Sequence, residues 1–325
     1  MVKFLLFAND QLTTILNQMK TKTEPEDNNF FDNLPNETMN IIVKALDDEP
    51  IAQRNFNLSC RFFYNNYNEQ WFMQQLINAV VSGNQDKAQK ILQHYPQWMI
   101  EKINTINDLS GRSFHNLSLW QYTLWALDVR YMAPMMLQSL PQNAQGEKIR
   151  LQLDKQFEAV EVDGVTYELA GNTYYETEYD FDVIWALLKY IADKNKDVKT
   201  CSLIGQAQRL VPAHVAQHFC NSEEPFQSTS SFKKEQFKRT LRFYNSISEK
   251  FEHWFSSQLG LSFAIVGGTP LGAVAYPIIS KRTAENELEA LRTLRKRRTK
   301  DLIILKKQLQ NPIEKQESDL GIKPA

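Results

Sequence analysis

Apolar residues recur at helical spacing over most of the chain. Met39, Ile42, Val43 and Leu46 fall at i, i+3, i+4 and i+7, one stripe of an amphipathic helix. Pro35 and Asn36 sit where a helix start belongs, and "DDEP", Asp47–Pro50, ends it. Short apolar helices are expected at Ile51–Phe56 and Leu58–Tyr67, and another at Gln70–Val81. The pattern returns at Val183–Ala192, Ile204–Leu210, Ala213–Phe219 and Lys234–Phe255. Thr283–Gln310 predicts a terminal helix about 42 Å long at ~1.5 Å per residue.

Two stretches depart from that period. "AVEVDGVTYEL" alternates around Asp163-Gly164 and predicts a β-hairpin, because glycine accepts the positive φ of a type I′ turn. "TYYETEYDF" supplies a third strand. From Trp254 to Ser280 no residue is charged, a length that could cross a bilayer. Gly260, Gly267, Gly268, Gly272, Pro270 and Pro277 interrupt it. "LSFAIV" and "AVAYPII" are therefore expected as two buried strands joined by a Gly-Pro turn.

"VVSGNQDKAQKILQHYP" and "WALDVRYMAPMMLQSLP" align at an offset of 45 residues, matching Ala88 to Ala133, Leu92 to Leu137 and Pro96 to Pro141. Each reads as the second helix of a helical hairpin. The spacing exceeds the ~33-residue ankyrin period, which makes the loop with "NDLSGRSFHN" an insertion in an ankyrin-like pair. Two copies are few for a free-standing solenoid, so the pair is expected to pack on its neighbours.

Composition narrows the class. With 42% hydrophobic and 11% aromatic residues in 325, the chain is globular, long enough for about two domains of ~150 residues. Its net charge of −1 hides an asymmetry. Lys281 to Lys307 holds ten Lys/Arg against four Asp/Glu, a local +6, which leaves −7 for the remainder. Cys60, Cys201 and Cys220 are odd in number and far apart, which fits a reducing compartment and no disulfide framework. The opening "MVKFLLFANDQL" has too short an apolar run for a secretory signal.

The stretch "LPNETMNIIVKALDDEPIAQRNFNLSCRFFYNNYNEQWFMQQL" resembles an F-box. Leu34, Pro35, Glu37, Ile42, Leu46, Leu58, Cys60, Arg61, Phe62, Phe63 and Trp71 fill the family's slots in order; Thr38 departs, standing where the family usually carries Leu or Ile. A piece this short buries too little surface to be stable alone, so its apolar residues call for a cover from elsewhere. The resemblance implies docking on the Skp adaptor of a cullin-type ubiquitin ligase, with Leu34, Pro35 and Ile42 inserted as anchors. More loosely, "SLWQYTLWALD", "AQRLVPAHV", "RTLRFYN" and "LGLSFAI" look like segments of F-box and ankyrin effectors of intracellular bacteria such as Legionella. That likeness implies export by a type IV secretion system into a host cytosol, and the tail "PIEKQESDLGIKPA" is compatible with such a signal.

Other constellations compete with this reading. His214 and His218 stand one helical turn apart with Cys220 near, but Val, Ala and Gln between them exclude HExxH and no further ligand is apparent. Glu223 and Glu224 follow on a loop. No phosphate-cradling or nucleophile-elbow motif occurs, and no cofactor is implied. Arg292, Arg295, Lys296, Arg297, Arg298 and Lys300 ring the terminal helix as a candidate anionic-ligand patch, with Arg295 and Arg298 interrupting its leucine seam. Aromatics suited to base stacking are missing nearby, so neither nucleic acid nor membrane is an expected partner.

The expected fold is mainly α. Segment 1–29 is an N-terminal segment and polar linker, and 30–76 is a three-helix F-box. An ankyrin-like helical pair covers 77–150, and an α+β region with a small hairpin and a long terminal helix covers 151–310, before a polar tail at 311–325. The expected function is a non-catalytic adaptor that presents a client protein for ubiquitination. The alternative is an effector enzyme with its site around His214 to Glu224.

Overall fold

Asn and Ser side chains cap the starts of four helices in the computed structural model, which describes residues 61–193, 198–236, 238–255 and 259–312. Helix α1 (Arg61–Val81) is continuous where the pattern suggested two helices; no Gly or Pro interrupts it. Asn84 caps α2 (Gln85–Leu92) by accepting from the Lys87 N–H at 3.1 Å. A 3₁₀ turn (Pro96–Met99) leads to strands β1 (Ile103–Asn107) and β2 (Ser113–Leu117). Ser118 and Gln121 form a reciprocal capping box on α3 (Leu119–Trp125). Helices α4 (Met132–Gln138) and α5 (Ala144–Asp163) follow, the second capped by Asn143.

Next come β3 (Val165–Leu169) and β4 (Asn172–Glu176), then helices α6 (Asp182–Asp193), α7 (Val198–Arg209) and α8 (Ala213–Cys220). An irregular strap, described over 221–236 and 238–240, leads to β5 (Arg242–Asn245) and β6 (Lys250–His253). Strands β7 (Ala264–Thr269) and β8 (Gly272–Tyr276) precede α9 (Lys281–Gln310), capped by Ser280.

The chain divides after Trp71, and both sheets belong to the second unit, Phe72–Ala325. The first sheet is antiparallel throughout in the order β1-β2-β3-β4, with Phe114 opposite Tyr167. The second runs β6-β5-β8-β7, and β5 pairs parallel with β8. Trp120, Trp125, Phe114, Phe157 and Phe181 fill the core beside the first sheet; Phe219, Phe226, Phe243 and Trp254 fill it beside the second. Helix α9 packs against α5, α6 and β7, tying the two cores together through Leu288, Leu291, Leu294, Leu305 and Leu309.

The described residues are about half helical, with two four-stranded sheets. That is richer in strand than the hairpin, third strand and two buried strands expected. Asp163-Gly164 is not a hairpin turn. Helix α5 runs to Asp163, and Gly164, at φ +61°, ends it and starts β3; an added Cβ would meet the Glu176 carbonyl oxygen at 2.7 Å. The hairpin turn lies at Ala170-Gly171, both with positive φ.

The helix expected at Lys234–Phe255 is also absent; the segment holds the β5–β6 hairpin. Asn245 folds that turn by accepting from the Ile247 N–H at 2.9 Å. The loop expected between the repeated helices carries the β1–β2 hairpin, and α2 and α4, the repeated segments themselves, pack on each other. The uncharged stretch contains two strands as expected, β7 and β8, and they pair antiparallel. Among the described residues no helix is long and apolar enough to cross a membrane.

Candidate functional site

A cleft of about 1180 Å³ opens between α2, α4, the strap and the last turns of α9. Gln85, Asp86 and Gln89 come from α2, and Pro134, Met135 and Gln138 from α4. Glu235, Gln236, Lys238, Arg239 and Thr240 form the strap wall. Asp301, Ile304, Leu305 and Gln308 close the side of α9.

Beneath the cleft lies a network of buried charges. Asp128 is 5% exposed and pairs with Arg239 at 3.0 Å, and Arg239 also donates to Gln217 (2.8 Å) and Gln85 (3.2 Å). Arg298 is wholly buried, pairs with Asp301 at 3.0 Å and lies 2.7 Å from His218 Nε2. Arg130 reaches Asp301 at 3.2 Å from the cleft wall. The guanidinium carbons of Arg239 and Arg298 lie over the Tyr131 ring, 5.1 and 5.2 Å from its centre. Tyr131 in turn donates its hydroxyl to the Lys234 carbonyl at 2.5 Å. Charges this deep persist only when paired and hydrogen-bonded.

Burial and local charge set the protonation states. Burial raises the Asp128 carboxyl, but Arg239 and His214 outweigh it and hold the group below the usual carboxylate range. Burial, reinforced by Arg298, keeps His218 far below the ordinary imidazole value. Its Nε2 therefore accepts from Arg298 and its proton sits on Nδ1. Burial pulls His214 down to about 4; Nε2 lies 2.6 Å from the Ala126 carbonyl, so that nitrogen carries the proton. Nδ1 of His214 is buried without a partner beside a small void next to Asp128. Neither histidine lines the cleft. Among the described residues no group of three or more His, Cys, Asp or Glu side chains could hold a metal.

The six basic residues of α9 do not form one exposed patch. Arg298 faces the core, Arg297 reaches Asp301 at 3.4 Å, and Arg295 pairs with Glu178 at 2.7 Å while lying over Trp185. Arg292 approaches Glu289 at 3.7 Å, and Lys296 and Lys300 are exposed. Glu223 lies on the strap beside Lys234, 3.5 Å away, and Glu224 accepts from the Ser231 and Phe232 N–H groups. Cys220 is buried and its thiol raised by that burial. Of the F-box-like residues, Phe62 and Phe63 fall in the first turn of α1. Leu34, Pro35, Glu37, Ile42, Leu46, Leu58 and Cys60 lie outside the described residues.

Asp128, Arg130, Tyr131 and Arg239 carry no motif, and sequence reasoning missed them. One signal was available: Arg298 stands in the leucine seam of α9 with Asp301 one turn on, which is where an internal ion pair would be placed.

These features define a two-sheet α+β protein whose terminal helix braces a polar cleft over an internal arginine–aspartate network. Residues 186–309 match the family model described as the CBUA0006 C-terminal domain. That span contains α7, α8, the strap, the second sheet and nearly all of α9. The chain is 30% identical over 265 residues to a Coxiella burnetii (strain RSA 493 / Nine Mile phase I) protein described as uncharacterized protein CBUA0006; the match covers 74% of this chain and 76% of that one. The chain belongs to the CBUA0006 family. No solved structure matches it.

Proposed function

We propose that the chain is an F-box adaptor. It docks through residues 30–76 on the Skp subunit of a host cullin-type ubiquitin ligase and holds a client in the cleft of its second unit. The observation that carries this reading is the order of Leu34, Pro35, Glu37, Ile42, Leu46, Leu58, Cys60, Phe62 and Phe63 along a stretch too short to stabilise itself. Two further observations support it. The chain divides after Trp71, close to the end of the F-box-like stretch. The cleft is lined by α2 and α4, the paired helices of the ankyrin-like repeat, a surface suited to holding a partner.

Ubiquitin transfer in this scheme is performed by other subunits, and the adaptor acts by raising the local concentration of its client. A eukaryotic docking motif in a chain with a bacterial relative fits an effector delivered into a host cell. Co-purification with the Skp adaptor tests the proposal. The unmutated chain should retain the adaptor, and Leu34→Ala with Pro35→Ala should release it without changing the thermal melt. Absence of binding by the unmutated chain rejects the proposal.

A further inference from the structure

We infer that the cleft grips its occupant as an extended polypeptide, chiefly through the peptide backbone; this rests on the client-holding role proposed above. Six glutamines, Gln85, Gln89, Gln138, Gln217, Gln236 and Gln308, line the cleft. A side-chain amide offers N–H donors and a carbonyl acceptor, the same complement as a peptide unit. Gln85 and Gln217 are already fixed by Arg239. The side chains of Gln89, Gln138 and Gln236 make no hydrogen bond within the described residues, and all three line the cleft and reach solvent, which leaves their donors and acceptors available to an occupant.

The charges of the lining argue against an ionic ligand. Arg130, Lys238 and Arg239 stand against Asp86, Glu235 and Asp301, so neither sign dominates. Arg130 is committed to Asp301 and Arg239 to Asp128. An anion would have to break those buried pairs, at the cost of stranding a carboxylate. Size argues in the same direction. At about 1180 Å³ the cleft exceeds the ~300–1,000 Å³ range of pockets for small molecules, and it has the room a chain segment needs. Pro134 and the exposed Ile304 add apolar surface for the side chains of such a segment, backed by buried Met135 and Leu305.

Selection from a phage-displayed library of random peptides tests this on the full chain. A selected peptide is then synthesised, labelled and titrated by fluorescence anisotropy. Binding should weaken by about tenfold or more when Gln89→Leu and Gln138→Leu are combined, since each change removes hydrogen bonds at constant size. Methylation of alternate backbone nitrogens in the peptide should weaken it similarly. Both glutamines reach solvent, and an unchanged thermal melt verifies that the double variant folds. If the melt falls, Gln236→Leu, on the exposed strap, reads the same effect.

A library that yields no binder overturns the inference. So does peptide binding indifferent to both the glutamine changes and N-methylation, and so does displacement of the peptide by inorganic phosphate. Skp co-purification on the same preparations separates the two proposals. Peptide binding without Skp binding removes the adaptor role and leaves the cleft assignment standing. Skp binding without peptide binding does the reverse.

Discussion

Arg298 donates a hydrogen bond to His218 Nε2 across 2.7 Å in the protein interior, joining the terminal helix to α8. Both side chains are essentially inaccessible, so the bond fixes the charge state of each. Burial lowers the arginine from its ordinary value, while Tyr131, Asp128 and Asp301 pull it back; it stays charged. The imidazole stays neutral. Replacing Arg298 with Met removes the largest charge contribution to the histidine's depression and leaves burial, with smaller effects from His214, Arg239 and Arg130. The His218 pKa, followed by NMR, should move upward in Arg298→Met. In the unmutated chain it should titrate well below the ordinary imidazole range, and an ordinary imidazole titration there would contradict the assigned tautomer and pairing. Asp301 keeps Arg130 and Arg297, so the stability loss should be about 1–3 kcal/mol, below that of a stranded charge.

Two buried groups give the stability opposite pH slopes. Burial pushes the Glu287 carboxyl up to about 8 from 4.5, opposed by the Gly267 N–H donating to Oε1 at 3.2 Å. Between those values the folded chain holds a proton that the unfolded chain releases, so stability falls as pH rises from 4.5 towards 8. Each pH unit inside that window costs about 1.4 kcal/mol. His214, lowered from 6.5 to about 4 by burial, acts the other way, and stability falls as pH drops from 6.5 towards 4. Glu287→Gln preserves an acceptor for Gly267 and removes only the first slope. Its urea midpoint should exceed that of the unmutated chain at pH 8 and match it near pH 4, and an equal gain at both would exclude a buried proton on Glu287.

Arg239 anchors the strap. It spans Asp128, Gln217 and Gln85, so Arg239→Ala leaves a buried carboxylate without its counter-ion. A loss of about 3–5 kcal/mol is expected. The released strap should expose Lys233, Lys234 and Lys238 to trypsin well before the rest of the chain is cut. Arg239→Lys restores the charge but cannot bridge three partners, and it should recover only part of the protection. Unchanged cleavage in Arg239→Ala would mean that buried Phe226 and Phe232, not the arginine, hold the strap.

The helices with a strong apolar period, α6, α8 and α9, were legible in the sequence, as were β7 and β8 within the uncharged stretch. Their signals are local: a leucine stripe, or two apolar runs around a Gly-Pro turn. The β5–β6 hairpin was not. Leu241, Tyr244 and Phe251 mimic helical spacing, and the deciding interactions are the Asn245 side chain folding its own turn and the Trp254 N–H bonding to the Leu241 carbonyl. The internal charges were half visible. Arg298 stood out in its seam with Asp301 one turn on, but its partners His218 and Tyr131 come from elsewhere in the chain, and only tertiary packing brings them to it. The cleft left no trace, because its glutamines are scattered and carry no motif.

Gly164 and Ala170 make a reciprocal pair that tests how the chain turns into the first sheet. Both have positive φ, +61° and +50°. Glycine accepts that region freely and alanine pays for it with a Cβ clash worth about 1–2 kcal/mol. At Gly164 the clash is compounded, because the added Cβ would sit 2.7 Å from the Glu176 carbonyl oxygen on β4. Gly164→Ala should therefore destabilise by more than the backbone term alone, about 2–4 kcal/mol, and loosen the β3–β4 pairing. Ala170→Gly relieves strain in the hairpin turn, but part of that gain is lost to the greater freedom glycine gives the unfolded chain. A net stabilisation of about 0.5–1 kcal/mol is expected. Thermal melts of the two single variants decide the matter: equal and opposite shifts would mean that strain at φ alone governs both sites, whereas a loss at 164 at least twice the gain at 170 locates the difference in the contact with Glu176.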